Sequence, residues 1–184
     1  MTEKRKQFEQ TFEILASDPS AWLEQAQQMK MAAEPILQSF LEICNEPQIR
    51  PGVRLKKLAY IDAYMLLIGF AFENLLKAIA VSRGLLTLRN EQLRFDPMLS
   101  HDRGGHSLTG LACSLHLQLT SQEHRYFERL EEFIYWAGRY PVSMKSGTYA
   151  DSHSAGRLSV IIPTDPEMSD KLFDKLSKLI NSPK

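Results

Sequence analysis

The feature that most constrains this chain is the stretch 53–83, where apolar side chains recur at helical spacing around nearly the whole circumference. As an α-helix it would be about 45 Å long, at 1.5 Å per residue. A helix that is apolar on nearly all sides is typical of the centre of a bundle. Its apolar positions include Ile61, Met65, Ile68, Phe72, Leu75 and Ile79. The sequence therefore predicts an all-α, up-and-down bundle around this helix, which we expect to end at Gly84.

The same stretch does not fit a membrane span, because four polar residues interrupt it. A span would have to bury them in hydrocarbon, which costs several kcal/mol. They are Asp62, Glu73, Asn74 and Lys77. The first ten residues also lack the apolar segment of a secretory signal. We therefore expect a cytoplasmic protein that makes no membrane contact.

Composition and motifs argue against several kinds of metal, cofactor and catalytic site. Cys44 and Cys113 are too few for a disulfide framework or a zinc knuckle, and their apolar neighbours predict buried thiols. The five histidines show no paired-ligand spacing, so no metal site is expected. The chain contains no phosphate-binding loop, dinucleotide fingerprint or hydrolase elbow. We therefore predict no cofactor.

Capping and turn signals predict five or six helices, with a core bundle at about 18–141. Asp18-Pro19 provides an N-cap and a first helical residue, and Pro35 inside the same helix predicts a kink or a break. Ser107 can cap one later helix, and Thr120-x-x-Glu123 predicts a capping box at the start of the next. These signals indicate helices that pack as antiparallel neighbours.

The remaining segments complete a single helical domain, 1–184. The charge-rich stretch 85–105 is predicted to be a loop. Residues 142–163 are expected to be flexible or irregular, and they contain a short β-like segment at 158–162. An amphipathic pattern predicts a C-terminal helix over 164–182.

The charge balance bears on nucleic-acid binding. The chain carries 22 basic and 22 acidic side chains. A constitutive electrostatic nucleic-acid binder is normally strongly basic, so RNA binding is disfavoured. A basic run without an intervening acid consists of Arg50, Arg54, Lys56 and Lys57, and any RNA contact is expected there.

Glu73 and Lys77 are four residues apart and share a helix face, with the glutamate first, as helical ion pairs prefer. On a surface such a pair contributes only a few tenths of a kcal/mol. Their neighbours are apolar, however, and buried charges need partners or face a groove. Candidate partners are His106, at the start of a later helix, and Arg139 and Tyr140, at the end of another.

Three motifs in order resemble the HEPN superfamily, whose name stands for higher eukaryotes and prokaryotes nucleotide-binding. They are E-x-x-x-K at 73–77, G-H-x-L at 105–108 and R-Y-P at 139–141. The resemblance covers about 72–141 and implies a bundle of four or five helices, often dimeric. Family members act as RNA-cutting toxins, as partners of nucleotidyltransferase-type antitoxins, or as binding modules in defence and stress systems.

Ribonucleases of this family use an R-x4–6-H motif near the start of the last bundle helix. Arg139 is followed by no histidine in that range. Arg94 and His101 have the formal spacing, but they lie in the predicted loop and not in the family's position. The resemblance therefore implies a non-catalytic member. Its ligand-binding residues, carried over from the motifs, are Glu73, Lys77, His106, Arg139 and Tyr140.

Three functions remain open. The first is a homodimeric module that binds a nucleotide, another small ligand or a nucleotidyltransferase-type protein, in a toxin–antitoxin, defence or stress system. Apolar helix faces that include Phe133 and Trp136 would supply its dimer surface. The second is a metal-independent ribonuclease that uses Arg94 with His101, or Arg103 with His106. The third is a structural interaction partner whose polar cluster only fixes helix register.

Overall fold

The computed structural model describes residues 3–46, 52–97, 99, 105–158 and 164–180. These residues form seven α-helices, one π-helical segment and one two-stranded antiparallel sheet. The elements are α1 (Glu3–Ser17), α2 (Pro19–Cys44), α3 (Val53–Ser82), β1 (Leu86–Arg89), β2 (Gln92–Phe95), α4 (Leu108–Ser114), α5 (Ser121–Glu132), the π-helical segment Phe133–Ala137, α6 (Ser146–Ser154) and α7 (Thr164–Ser177). The fold is the predicted all-α bundle with a small β segment.

The helix α3 lies at the centre of the bundle. α2 packs along its length, and α4, α5, α7 and β1 contact its other sides. All six apolar positions predicted for its core face are buried. The chain leaves the helix through Gly84, whose φ of +70° is the left-handed conformation expected of a residue that ends a helix.

By length and composition, α3 is also the one described helix that is long and apolar enough to cross a membrane. Of its apolar window, 67% is buried inside the protein. Burial of this kind is what packing at the centre of a bundle requires.

Aromatic rings join three helices at the middle of the core. Phe72 on α3 meets Tyr126 and Phe127 on α5 edge to face, with centroids 6.1 and 5.1 Å apart. Phe173 on α7 completes the cluster at 5.8 Å. Edge-to-face packing at these distances is favourable beyond simple burial, and it aligns α5 and α7 on the same turn of α3.

Two glycines bring α3 and the end of α5 close together. A Cβ on Gly69 would lie 2.6 Å from Cγ1 of Ile134, and a Cβ on Gly138 would lie 3.0 Å from Cβ of Leu66. Gly69 therefore faces Ile134, whereas Leu66, which lies earlier in α3, faces Gly138, which lies later in the chain. The two helices are antiparallel, as expected for sequential bundle helices.

The π-helical segment widens the last turns of the helix that α5 begins. The N–H of Gly138 donates to the carbonyl of Phe133, five residues earlier, at 3.1 Å. A turn of this kind holds an extra residue compared with an α-turn. It rotates the residues that follow by about 100° relative to an uninterrupted α-helix.

The predicted caps are confirmed. Asp18 accepts a hydrogen bond from the N–H two residues on, at 2.9 Å, with Pro19 as the first residue of α2. Thr120 and Glu123 form the reciprocal capping box, at 3.2 and 2.6 Å. Ser107 caps α4 by accepting from the N–H three residues on, at 3.0 Å. Side-chain signals thus fix three helix starts.

Two local predictions differ from the structure. α2 continues through Pro35 without a break. The predicted loop 85–105 contains a β-hairpin, β1–β2, in which Arg89 pairs with Gln92. Its turn residues, Asn90 and Glu91, have φ of 50° and 60°, as in a type I′ turn. Glutamate stands where glycine normally marks such a turn, which explains why the sequence did not reveal it.

The segment 142–163, expected to be flexible or irregular, contains α6. The β-like segment 158–162 lies outside the described residues except for Leu158. α7 occupies the first part of the predicted range 164–182.

Two predictions about exposure were wrong. Cys44 and Cys113 are exposed, because each lies on the outward side of its helix although its sequence neighbours are apolar. Phe133 and Trp136, proposed for a dimer surface, are buried. The indole of Trp136 donates to Glu132 at 2.8 Å, and its ring packs against Tyr149 of α6. α6, which the sequence did not predict, covers this face.

Candidate functional site

Glu73, Lys77 and His106 come together between α3 and the start of α4. Nζ of Lys77 donates to Oε1 of Glu73 at 2.5 Å, and Nδ1 of His106 lies 2.9 Å from the same oxygen. The Glu73 side chain is 6% exposed, that of Lys77 15% and that of His106 50%. The cluster is therefore a buried carboxylate with one ammonium neighbour and one imidazole that reaches solvent.

The second carboxylate oxygen of Glu73 has no hydrogen-bond partner among the described residues. Oε2 is buried, whereas Oε1 accepts from two donors. An unsatisfied buried acceptor costs about 1–3 kcal/mol, and more when charged, so native proteins rarely leave one without a reason. A group that satisfied this oxygen would have to donate, because an ionised carboxylate only accepts.

The orientation of His106 follows from its contact with Glu73. A carboxylate acceptor requires a proton on Nδ1, and in the neutral imidazole the lone pair is then on Nε2. The residue before it, Gly105, has a φ of +84° and packs on Phe95 of β2, where a Cβ would lie 2.8 Å from the ring. Glycine thus lets the chain pass close to the hairpin and bring His106 to α3.

A second glutamate, which sequence reasoning missed, holds the start of α4. Oε1 of Glu131 on α5 accepts from the Ser107 hydroxyl at 3.2 Å, and from the N–H and hydroxyl of Thr109 at 2.5 and 2.7 Å. Glu131 is 6% exposed. The segment that carries His106 is therefore held by hydrogen bonds to both α3 and α5. No local signal singled out Glu131, because it lies in a charged stretch with Glu128, Arg129 and Glu132.

Arg139 and Tyr140 form a separate surface pair. Nη2 of Arg139 donates to the Tyr135 carbonyl at 2.8 Å, and its guanidinium lies 5.6 Å from the Tyr140 ring centroid. Both residues are exposed. Within the described part of the chain, Arg139 makes no hydrogen bond or ion pair with Glu73, Lys77 or His106.

The distance between the Glu73–Lys77–His106 cluster and the Arg139–Tyr140 pair can be estimated along the axis of α3. The residue before Arg139 packs against Leu66. Leu66 precedes Glu73 by seven residues, about 10 Å along the helix axis. The structure thus brings together three of the five sequence-predicted site residues and places the other two about two helical turns away.

Neither residue pair of the ribonuclease alternative lies wholly within the described residues. Arg94 lies on β2, and its guanidinium hydrogen bonds to Gln92. His101 and Arg103 lie outside the described residues. Of the basic run, Arg50 also lies outside them, whereas Arg54 and Lys56 are exposed at the start of α3.

Two further buried carboxylates belong to structural networks. Asp165 of α7 receives two hydrogen bonds from the Arg129 guanidinium, both at 2.7 Å. Glu132 accepts from the Ser152 hydroxyl at 2.9 Å and lies 3.6 Å from the Arg157 guanidinium. These contacts fasten α6 and α7 to α5. Among the described residues, no group of histidine, cysteine, aspartate and glutamate is arranged to hold a metal ion.

Comparison with protein-family models, with curated proteins and with solved structures found no significant match for this chain.

Proposed function

We propose that this protein is a non-catalytic helical bundle of the HEPN type that binds a nucleotide or a similar small ligand beside Glu73 and His106. The observation that carries the proposal is the buried Oε2 of Glu73, which has no hydrogen-bond donor among the described residues. The half-exposed imidazole of His106 connects this carboxylate to solvent. Because Oε2 is buried, a ligand that donates to it has to enter beside His106, between α3 and the start of α4.

The chemistry of the site favours the base end of a nucleotide. Lys77 neutralises the charge of Glu73, so the cluster offers no net positive charge to a phosphate. A carboxylate accepts well from the exocyclic amine of a base, and Nε2 of His106 offers a second acceptor. The Arg139–Tyr140 pair offers a guanidinium for a phosphate. A ligand that reaches both groups must span about 10 Å along α3.

Binding can be measured by thermal shift and calorimetry with adenine, guanine and cytosine nucleotides. A nucleotide at about 100 times its Kd should raise Tm by about 5–10 °C in a domain of this size. In Glu73→Gln, the side-chain NH₂ group, which donates, can face the ligand group that donates to the carboxylate in the wild type. The two donors cannot form a hydrogen bond with each other. We expect Kd to weaken by about 10–100-fold, the value of a charge-assisted hydrogen bond.

Glu167→Gln is the matched control. Glu167 forms the same i,i+4 contact with a lysine, at 2.5 Å, but on the exposed face of α7. Nucleotide binding should be unchanged in this variant. A protein whose Tm responds to no nucleotide contradicts the proposed function, and equal binding by Glu73→Gln places the ligand elsewhere.

The ribonuclease alternative has one observation in its favour, the Glu73–His106 pair, because a carboxylate that orients an imidazole also suits acid–base chemistry. Incubation with total RNA in the presence of a chelator distinguishes the two functions. The non-catalytic proposal expects no cleavage. Cleavage that disappears in His106→Ala would establish the enzyme instead.

The resemblance also supports a protein partner of the nucleotidyltransferase type, and homodimerisation. Co-purification with the products of the neighbouring genes tests this partner, and the proposal expects a nucleotidyltransferase-type protein among them. The assay is independent of nucleotide binding, so either part of the proposal can fail alone.

A further inference from the structure

His106 is held in place by two buried carboxylates that belong to different helices. Glu73 on α3 contacts the imidazole directly, with Oε1 2.9 Å from Nδ1. Glu131 on α5 holds the chain that follows His106, through hydrogen bonds with Ser107 and Thr109. The two glutamates are about equally buried, at 5% and 6% exposed. The place of the imidazole beside Glu73 therefore depends on where Glu131 sets the start of α4.

The contacts of Glu131 fix the first turn of α4 in a definite orientation. Its Oε1 accepts from the Ser107 hydroxyl at 3.2 Å, and from the N–H and hydroxyl of Thr109 at 2.5 and 2.7 Å. The Ser107 hydroxyl in turn accepts from the N–H of Gly110 at 3.0 Å. Hydrogen bonds weaken steeply when their distance or angle departs from the ideal. These linked hydrogen bonds therefore leave the first turn little freedom to slide or rotate against α5.

The apolar packing of α4 does not provide the same precision. Leu108, Leu111 and Ala112 are buried and hold α4 against the core. This attraction is non-directional, so it tolerates small shifts. α4 has only seven residues, and a helix of that length is not stable by itself. A shift of its first turn by about 1 Å would be enough to break the contact between His106 and Glu73.

We propose that Glu131 is a positioning residue, which holds the first turn of α4 so that Nδ1 of His106 stays on Glu73. The neutral imidazole then keeps its lone pair on Nε2, where it accepts from a ligand. The part of Nε2 in ligand binding rests on the function proposed above, whereas the position of the imidazole does not. Glu131 acts as an acceptor in these contacts. Glutamine, which keeps one acceptor oxygen, should therefore replace it better than leucine.

The first experiment observes the imidazole of His106 in the full chain by nitrogen-15 NMR, at mildly alkaline pH, where imidazole side chains are neutral. His106→Ala identifies its signals by their loss. In the wild type, the proton should be on Nδ1. In Glu131→Leu, the signals should move toward a mixture of the two tautomers, because Nδ1 no longer meets Glu73. In Glu131→Gln, they should stay close to those of the wild type.

Glu132, the next residue of the chain, provides the matched control. It is 1% exposed and accepts from the Trp136 indole at 2.8 Å and from the Ser152 hydroxyl at 2.9 Å, but it fastens α6 instead of α4. Glu132→Leu should lower Tm as Glu131→Leu does, because each substitution removes a buried acceptor. The His106 signals should nevertheless remain those of the wild type.

Thr109→Val is a milder variant that tests the same role. It removes the hydroxyl that donates to Glu131 at 2.7 Å and leaves the N–H of residue 109 and the Ser107 hydroxyl in place. The His106 signals should move in the same direction as in Glu131→Leu, by a smaller amount. The comparison therefore decides the role of Glu131 even when Glu131→Leu does not fold.

Nucleotide binding gives a second readout. For a nucleotide that binds the wild type, Glu131→Leu should weaken Kd by about tenfold, the value of one hydrogen bond to His106. Glu132→Leu should leave Kd unchanged. When none of the adenine, guanine and cytosine nucleotides binds the wild type, the proposed function fails, but the NMR comparison still decides what positions His106.

Two results would overturn the positioning role. One is a set of His106 signals in Glu131→Leu that matches the wild type. The other is an equal change in Glu132→Leu, which would mean that any loss of stability moves the imidazole. A Glu131→Gln chain that behaves like Glu131→Leu would contradict the role of Oε1 as the acceptor that holds α4.

Discussion

Oε1 of Glu73 and Nδ1 of His106 lie 2.9 Å apart, although the residues are 33 positions apart in the chain. The contact joins the central helix α3 to the residue that leads into α4. Lys77 donates to the same oxygen, so one atom holds a same-helix partner and a distant one. The three side chains form a single unit, and the loss of any one changes the environment of the other two.

The stability of this unit can be measured by urea denaturation. Glu73→Ala should lower the free energy of unfolding by about 3 kcal/mol, because it leaves the largely buried ammonium of Lys77 without its counterion. Glu167→Ala removes the equivalent partner from an exposed lysine and should leave the free energy of unfolding nearly unchanged. Equal losses in the two variants would show that Glu73 acts as an ordinary surface residue.

A glycine at position 69 is required by the close approach of α5. Gly69→Ala places a methyl group 2.6 Å from Cγ1 of Ile134 and should cost about 1–2 kcal/mol despite the better helix propensity of alanine. In an Ile134→Ala background, the same substitution should become neutral or stabilising by up to about 1 kcal/mol. A double-mutant cycle by chemical denaturation measures this change of sign, and additivity would contradict it.

The buried pair of Arg129 and Asp165 fastens α7 to α5. Asp165→Ala should destabilise the protein by about 3–5 kcal/mol, because it removes the carboxylate that accepts two hydrogen bonds from a buried guanidinium. Arg129→Met/Asp165→Leu should cost less, because both charges of the pair are then replaced by apolar side chains of similar size. The measurement is thermal and urea unfolding of the two variants. A double variant that is less stable than Asp165→Ala would mean that the ion pair itself stabilises the fold.

The raised pKa of Asp62 should make the free energy of unfolding depend on pH. Burial raises the pKa of this half-buried carboxyl above its ordinary value of 3.8. Between 3.8 and the raised value, the folded state holds more protons than the unfolded state, so stability falls as pH rises. Asp62→Asn should therefore raise Tm at pH 7, and the gain should shrink to nothing as the pH falls below 3.8. A gain that is constant across pH would contradict this.

Most helices of the fold could be predicted from apolar periodicity and from residues that cap helix starts. The core positions of α3 follow from apolar spacing, and the starts of α2, α4 and α5 follow from Asp18, Ser107 and Thr120. The hairpin did not follow, because Glu91 occupies a position where glycine is the usual signal. Local rules succeed where one side chain determines the backbone, and they fail where an unusual residue is tolerated.

The candidate site was only partly predictable. Spacing puts Glu73 and Lys77 on one face, but no local pattern says which distant residue meets them. The order of the motifs suggested both His106 and Arg139, and only His106 contacts Glu73. Glu131 escaped notice because its role depends on the docking of α4, which is a tertiary property.

The extra residue in the π-helical segment Phe133–Ala137 has a consequence for comparing sequences. A bundle with an uninterrupted helix here would be one residue shorter, so the correct alignment contains a single-residue gap before Arg139. An ungapped alignment would equate Arg139 with a position about a quarter-turn around the helix. Spatial superposition, and not counting of residues, would therefore identify the position in such a bundle that is equivalent to Arg139.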